Sequence, residues 1–538
     1  MTRLNSALDA VSTPYRLNQR WVERILALLR NDGLLAGLIF LAGLLTRLPF
    51  RSQILYHWDS VNFSFALQEF NIAKDQPQPP GYLLYVELGR LVNLLAHDPQ
   101  TTLVAVSLVS SALAGAALFI LGNAMFSRRA GIIAGLLLVT SPLFWFYGEI
   151  ALPHTLDALL VIVTIWLLYE TMRGKQAYLY PAVIAAAVSG GVRQQTLVFL
   201  LPALLFAVRK VGWRRLAACA ALGGAICLAW GIPLLALSGG LQHYLAVMNQ
   251  FTDRFQATTS IFMGAGWTGL RRNVIKLTLY TAYGWGIALL PALAGLWGWL
   301  SRSWQQKAIS ERSIFLILWI APAMVYYALV HMGQQGLVFV FLPALLLASA
   351  AALEKMLGEQ PRWLVGAVTA VCLIHAAIFC LAPEYPLGAG SQRLLTRATL
   401  VNSDAYYQQR FDLIRQHFDP QSTAILAANW HFLDYYLPQY TRIPFTIGSK
   451  WEEDEGIPAS GATHPEQLTA ADLGLHPRAD GTVSVILFDP PLKTFNRTPA
   501  AVSTLRLPSG ETLDVVTIPQ GGSLYLDPTS FGVAGSGG

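Results

Sequence analysis

Between Leu55 and Tyr85 the chain reads LYHWDSVNFSFALQEFNIAKDQPQPPGYLLY, gathering His57, Asp59, Glu69, Lys74 and Asp75 in a chain that is only 13% charged. Ionisable side chains are costly to hold at a membrane, so each is read first as a functional group. Asp59 stands shortly after the first apolar run, flanked by His57 and Trp58. A carboxylate in that place can take a proton from a substrate hydroxyl while Trp58 stacks on a ring, an arrangement suited to general-base catalysis. The structural alternative is a helix cap or a snorkelling charge.

Four further segments carry candidate groups. Gln76-Pro77-Gln78-Pro79-Pro80-Gly81-Tyr82 packs three prolines and a glycine around Gln78, which fixes the backbone as a rigid wall and offers Gln78 as a substrate contact. In FWFYGEIALPHTLDALL, Glu149 and Asp157 bracket an outer turn with His154 between them and can point towards one cavity, as a second acidic contact to substrate or a metal-assisting pair, while His154 reads as an interface histidine. Arg193 in SGGVRQQ suits bidentate phosphate recognition, or a salt bridge to Glu149 or Asp157. His331 opens a polar turn, HMGQQG, that can close the same cavity, and Arg271 and Arg272 follow an aromatic outer segment. The sequence has no zinc-ligand spacing, no phosphate-cradling GxxxxGK[ST] loop and no GxSxG. No cofactor is expected, and a divalent metal is allowed but not indicated.

The elements that must position these groups are membrane helices. Of 538 residues, 54% are hydrophobic, above the level of roughly 45–50% in soluble domains. Apolar runs near the length of about 20 residues that crosses a bilayer fall at 33–50, 101–124, 130–148, 153–171, 177–191, 195–208, 216–238, 273–300, 313–331, 336–353 and 363–382. They predict about 11 spans. With a cytoplasmic N-terminus, most of the Lys and Arg of residues 1–382 fall inside, as the positive-inside rule requires. The run 81–96 holds Glu87 and Arg90, and counting it as a span would reverse every later loop, so it is predicted to be a juxtamembrane helix. Asp59, Glu149, Asp157, Arg193 and His331 then share the outer face. Residues 241–272 should form an interfacial helix and turn that could border a lipid access path or simply cap the bundle.

Residues 1–382 carry 27 Lys and Arg against 15 Asp and Glu, whereas residues 383–538 carry 10 against 16. The basic part reports loop orientation, and no nucleic-acid partner is expected. The expected organisation is an amphipathic cytoplasmic N-terminus (1–32), a transmembrane region (33–382) with an outer loop (51–100), and an extracytoplasmic α/β domain (383–538). In that domain Asn402, Ser403 and Asp404 offer caps for a helix running to about Phe418, and strands are predicted at 423–428, 483–488, 513–518 and 523–526. The acidic run 451–455 reads as a solvated loop and GVAGSGG as a flexible end. Cys219, Cys227, Cys372 and Cys380 all lie in apolar runs and imply no disulfide framework.

HWDSVNFSFAL, QPQPPGYLLYV and SPLFWFYGEIALPHTLDALL, in this order over residues 33–210, resemble the GT-C superfamily of integral-membrane glycosyltransferases, in the branch of protein O-mannosyltransferases and aminoarabinose transferases. The resemblance implies a mainly α, GT-C-like helix bundle that moves a sugar from a polyprenyl-phosphate donor, without metal, to a hydroxyl of a protein, lipid or polysaccharide acceptor. The first-loop aspartate of the family falls on Asp59; where the family often has a second acid, Ser60 stands here. The second-loop acid falls on Asp157, or on Glu149 if the match shifts by about one helical turn. His57, Trp58, Gln78 and His331 would contact substrate, while Arg193 with Arg271 or Arg272 would offset charge on the departing lipid phosphate. A bacterial inner membrane is the expected location.

Two other classes compete. A lipid or sugar transporter would place ionisable groups near the bilayer midplane in repeated halves, whereas here they gather on one face and no repeat is present. A non-catalytic assembly subunit would tolerate loss of Asp59.

Overall fold

A computed structural model describes residues 31–306, 309–385, 393–427, 430–443, 466–498 and 501–527. The expected amphipathic N-terminus, the acidic run 451–455 and the terminal GVAGSGG lie outside these residues. All eleven apolar runs are helical. Among the described residues seven helical segments are long and apolar enough to cross a membrane: Asp32–Phe50, Pro99–Met125, His154–Met172, Trp213–Leu237, Gly266–Gly298, Glu311–Leu329 and Pro361–Leu381.

The eleven predicted runs thus divide into these seven and four shorter or broken helical segments, and each break has a local cause. Arg128–Thr140 stops where Pro142 starts a new short helix, Pro142–Tyr147. Leu179–Val192 and Gln194–Val208 are parted by Arg193, whose backbone is extended. Leu342–Leu357 follows a tight 3-10 segment, Gln335–Val340. Leu83–Ala96, the run that holds Glu87 and Arg90, is a 14-residue helix.

Pro99–Met125 is the central helix and packs against Asp32–Arg47, Arg128–Thr140 and His154–Met172. Small residues permit the closest of these contacts. A Cβ built on Gly122 would stand 2.6 Å from the Cα of Gly131, and one on Gly131 would stand 2.5 Å from the carbonyl oxygen of Phe119. Backbones this close are typical of membrane helix pairs held by packing rather than by expulsion of water.

The C-terminal region folds as the expected α/β domain. Its strands are β1 (Thr423–Leu426), β2 (Thr441–Arg442), β3 (Glu466–Thr469), β4 (Val483–Leu487), β5 (Val502–Arg506), β6 (Thr512–Ile518) and β7 (Ser523–Leu526). One sheet has the order β2-β1-β4-β6-β5, with β1 parallel to β2 and β4, and β6 antiparallel to β4 and β5; β3 and β7 form a separate antiparallel pair. The strands expected from sequence are β1, β4, β6 and β7. The helix Arg397–His417 is capped by Thr396 with Thr399 rather than by Asn402, Ser403 or Asp404. Asp404 instead binds the segment that follows the first span.

Candidate active site

His57 caps the nine-residue helix Trp58–Ala66, its Nδ1 accepting from the backbone N–H of Asp59 at 3.1 Å. The same nitrogen lies 3.6 Å from Asp59 Oδ2. Asp59 is 8% exposed and sits in the first helical turn, where the helix dipole favours negative charge. Its Oδ2 accepts a hydrogen bond from the side-chain amide of Gln334.

The prolyl segment forms the facing wall, as its composition suggests. The Pro80 carbonyl accepts from Gln194 Nε2 and from the Tyr244 hydroxyl, each at 3.2 Å, pinning the segment to two other helices. Gly81 takes φ +112 and Tyr82 φ +43, a left-handed pair that turns the chain into Leu83–Ala96. Burial pushes the Tyr82 phenol up, so it stays neutral in the wall.

Arg193 enters from the break between two short helices. Its Nη1 lies 3.5 Å from Asp157 Oδ2, and its Nη2 donates to Gln195 Oε1 at 3.3 Å. Gln195 Nε2 in turn donates to the Tyr326 hydroxyl at 3.2 Å, and the Thr196 hydroxyl donates to Asp157 Oδ1 at 2.7 Å. His331 Nδ1 is 3.1 Å from the Thr259 hydroxyl.

Trp58, Asp59, Gln78, Tyr82, His154, Arg193, Gln195, Phe251, Phe255, Tyr326, Tyr327, His331 and Gln334 all line one cleft, which encloses about 1050 Å³ with its open mouth included. Gln78 Oε1, His154 Nδ1, Arg193 Nε and the Tyr327 hydroxyl are buried without a hydrogen-bond partner among the described residues. Buried polar atoms in that condition are costly unless a ligand or water meets them.

The cleft therefore joins Trp58, Asp59, Gln78, Arg193 and His331 of the residues singled out from sequence, with His57 behind Asp59. Four others lie elsewhere. Asp157 backs Arg193 and does not line the cleft. Glu149 is fully buried, has both carboxylate oxygens unpartnered among the described residues, and is pushed up to about 9 by burial, against the opposing effect of Arg47. Arg271 is exposed on the helix Gly266–Trp285, and Arg272 donates to Asn273 Oδ1 at 3.3 Å; neither lines the cleft. Tyr82, Gln195, Tyr326, Tyr327 and Gln334 were not singled out. Gln334 carried a signal, being in the polar turn with His331, whereas Tyr326 and Tyr327 lie within an apolar run.

Residues 78–236 match the family model described as dolichyl-phosphate-mannose-protein mannosyltransferase. Two crystal structures of ArnT from Cupriavidus metallidurans share the fold. The one bound to undecaprenyl phosphate has a TM-score of 0.55 at 12% identity, covering 90% of this chain and 97% of ArnT. The apo form has a TM-score of 0.51 at 13% identity, covering 93% and 98%. No curated protein matches the chain by sequence. Over nearly the whole chain the fold is that of ArnT, and within it residues 78–236 match the mannosyltransferase family model.

Proposed function

We propose that this protein moves a sugar from a polyprenyl-phosphate donor to a hydroxyl acceptor at the outer face of the membrane, with Asp59 as general base. The observation that carries this reading is that one cleft holds both the Asp59 carboxylate and the Arg193 guanidinium. Asp59 takes the acceptor proton as the acceptor oxygen bonds to the anomeric carbon. The bond from that carbon to the phosphate oxygen breaks, and Arg193 offsets the charge left on the departing lipid phosphate. ArnT, which shares the fold, was crystallised with undecaprenyl phosphate, and the matched family is described by a dolichyl-phosphate sugar; both support a lipid-linked donor.

In this reading the transfer needs no metal and no cofactor. Loop charge supports a cytoplasmic N-terminus and an extracytoplasmic C-terminal domain, with a bacterial inner membrane as the proposed location. The soluble domain, whose His431 ring lies 5.6 Å from the Trp58 ring, takes part in acceptor selection. The test is transfer by purified protein in nanodiscs from a panel of polyprenyl-phosphate sugars, comparing wild type with Asp59→Asn. Turnover that falls about a hundredfold in the variant is expected. Equal turnover would remove Asp59 as base, and no turnover from any donor would overturn the transferase reading.

A further inference from the structure

The segment that carries Asp59 away from the first span is held by the soluble domain. Asp404, on the helix Arg397–His417, accepts from the backbone N–H groups of Gln53 and Ile54, both at 2.9 Å, and from the Ser52 hydroxyl at 3.3 Å. The next amide, that of Leu55, donates to the Tyr436 hydroxyl at 2.9 Å. That hydroxyl donates onward to Gln100 Oε1 at 3.0 Å, and Gln100 Nε2 donates to the Ser52 carbonyl at 3.2 Å, closing the set. Three successive amides are thus met by side chains at least 350 positions away in sequence.

Amides outside helix and sheet must find acceptors somewhere, and a carboxylate collecting two of them makes the stronger, charge-assisted bond. Asp404 is an unfavoured residue for a helix interior, and it does not cap its own helix. Its contacts with the 52–54 segment explain its presence. The helix that bears Asp59 is held from the same side, since Phe65 lies 5.5 Å from Tyr435 and Trp58 lies 5.6 Å from His431.

We propose that Asp404 and Tyr436 are positioning residues for Asp59. The soluble domain is then a working part of the active site, fixing residues 52–57 so that the helix beginning at Trp58 presents its carboxylate to the cleft. The proposal rests on the transferase reading above and adds a role for the domain beyond acceptor choice.

The test uses the full-length protein in nanodiscs with Asp404→Asn and Tyr436→Phe. Two quantities are read. Hydrogen exchange should quicken at the amides of Gln53, Ile54 and Leu55 and stay unchanged elsewhere. In transfer assays kcat should fall by about tenfold to a hundredfold, the scale of a small misplacement of a catalytic group, while donor KM stays near the wild-type value. Unchanged exchange or unchanged kcat in both variants, with an active wild type, overturns this proposal alone. A fall in kcat matched by equal losses in donor affinity and thermal stability also overturns it, because the residues would then be only structural. No product from the wild type with any donor overturns the transferase reading, and this proposal with it.

Discussion

Arg193 Nη1 lies 3.5 Å from Asp157 Oδ2, and both side chains are buried. The Thr196 hydroxyl donates to the other carboxylate oxygen, so Asp157 is held between Thr196 and Arg193 behind the cleft wall. Removing one partner of a buried pair leaves the other uncompensated. Asp157→Asn and Arg193→Lys are therefore each expected to raise donor KM by about tenfold, and the double variant to lose little more than either, because both act on one pair. A double-mutant cycle on kcat/KM checks this; strictly additive losses would show that the two residues act separately.

Gln334 donates its side-chain amide to Asp59 Oδ2 from the turn that also holds His331. A hydrogen bond to a carboxylate fixes which of its oxygens and lone pairs face the acceptor. Gln334→Ala should lower kcat about tenfold with donor KM little changed, and Gln334→Glu should lower it further by setting a like charge against Asp59. Steady-state kinetics at one pH decide the matter, and a wild-type kcat in Gln334→Ala would remove Gln334 from the catalytic arrangement.

The path from residue to site was legible where polarity broke an apolar background. Asp59, Arg193 and His331 stood out as ionisable groups beside apolar runs, Gln78 through the prolines around it, and all four line the cleft. Glu149 stood out in the same way but is buried beside Arg47 instead of lining the cleft. Tyr326 and Tyr327 gave no signal, since their rings suit an apolar run as well as their hydroxyls suit a cleft. In the soluble domain, β5 escaped notice because it is an edge strand of almost wholly exposed residues with no alternation to read. Asp404 was read as a local helix cap, whereas its partners lie in the loop after the first span, a contact no local pattern encodes.

Glu149 supplies a pH-dependent stability difference. Burial raises its folded-state pKa to about 9, above the value of about 4.3 expected when the chain is unfolded. The fold then prefers the protonated form, so its contribution is full below the unfolded value and is lost as pH rises through the folded one. Gln cannot ionise. Glu149→Gln should accordingly melt near the wild-type temperature at about pH 4 and above it at about pH 8, with transfer activity retained. Thermal unfolding in detergent at the two pH values measures this. Lower stability of the variant at both would mean that the carboxylate is ionised and stabilised by Arg47.

The ring of Trp58 lines the cleft and lies 5.6 Å from His431, which stacks on Trp430 at 3.7 Å; the Arg442 guanidinium lies 3.9 Å from the Trp430 ring. These groups run from the neighbour of the candidate base into the soluble domain, so an acceptor held by that domain would meet Trp58 before it reached Asp59. In the proposed reading the donor would meet other elements of the cleft, the prolyl segment and the Arg193 break. His431→Ala should therefore raise acceptor KM several-fold and leave donor KM unchanged, since aromatic contacts of this kind contribute on the order of 0.5–1.5 kcal/mol. Initial rates with acceptor varied at saturating donor, then donor varied at saturating acceptor, separate the two constants. A shift confined to donor KM would place His431 on the lipid side and leave acceptor selection to the membrane helices.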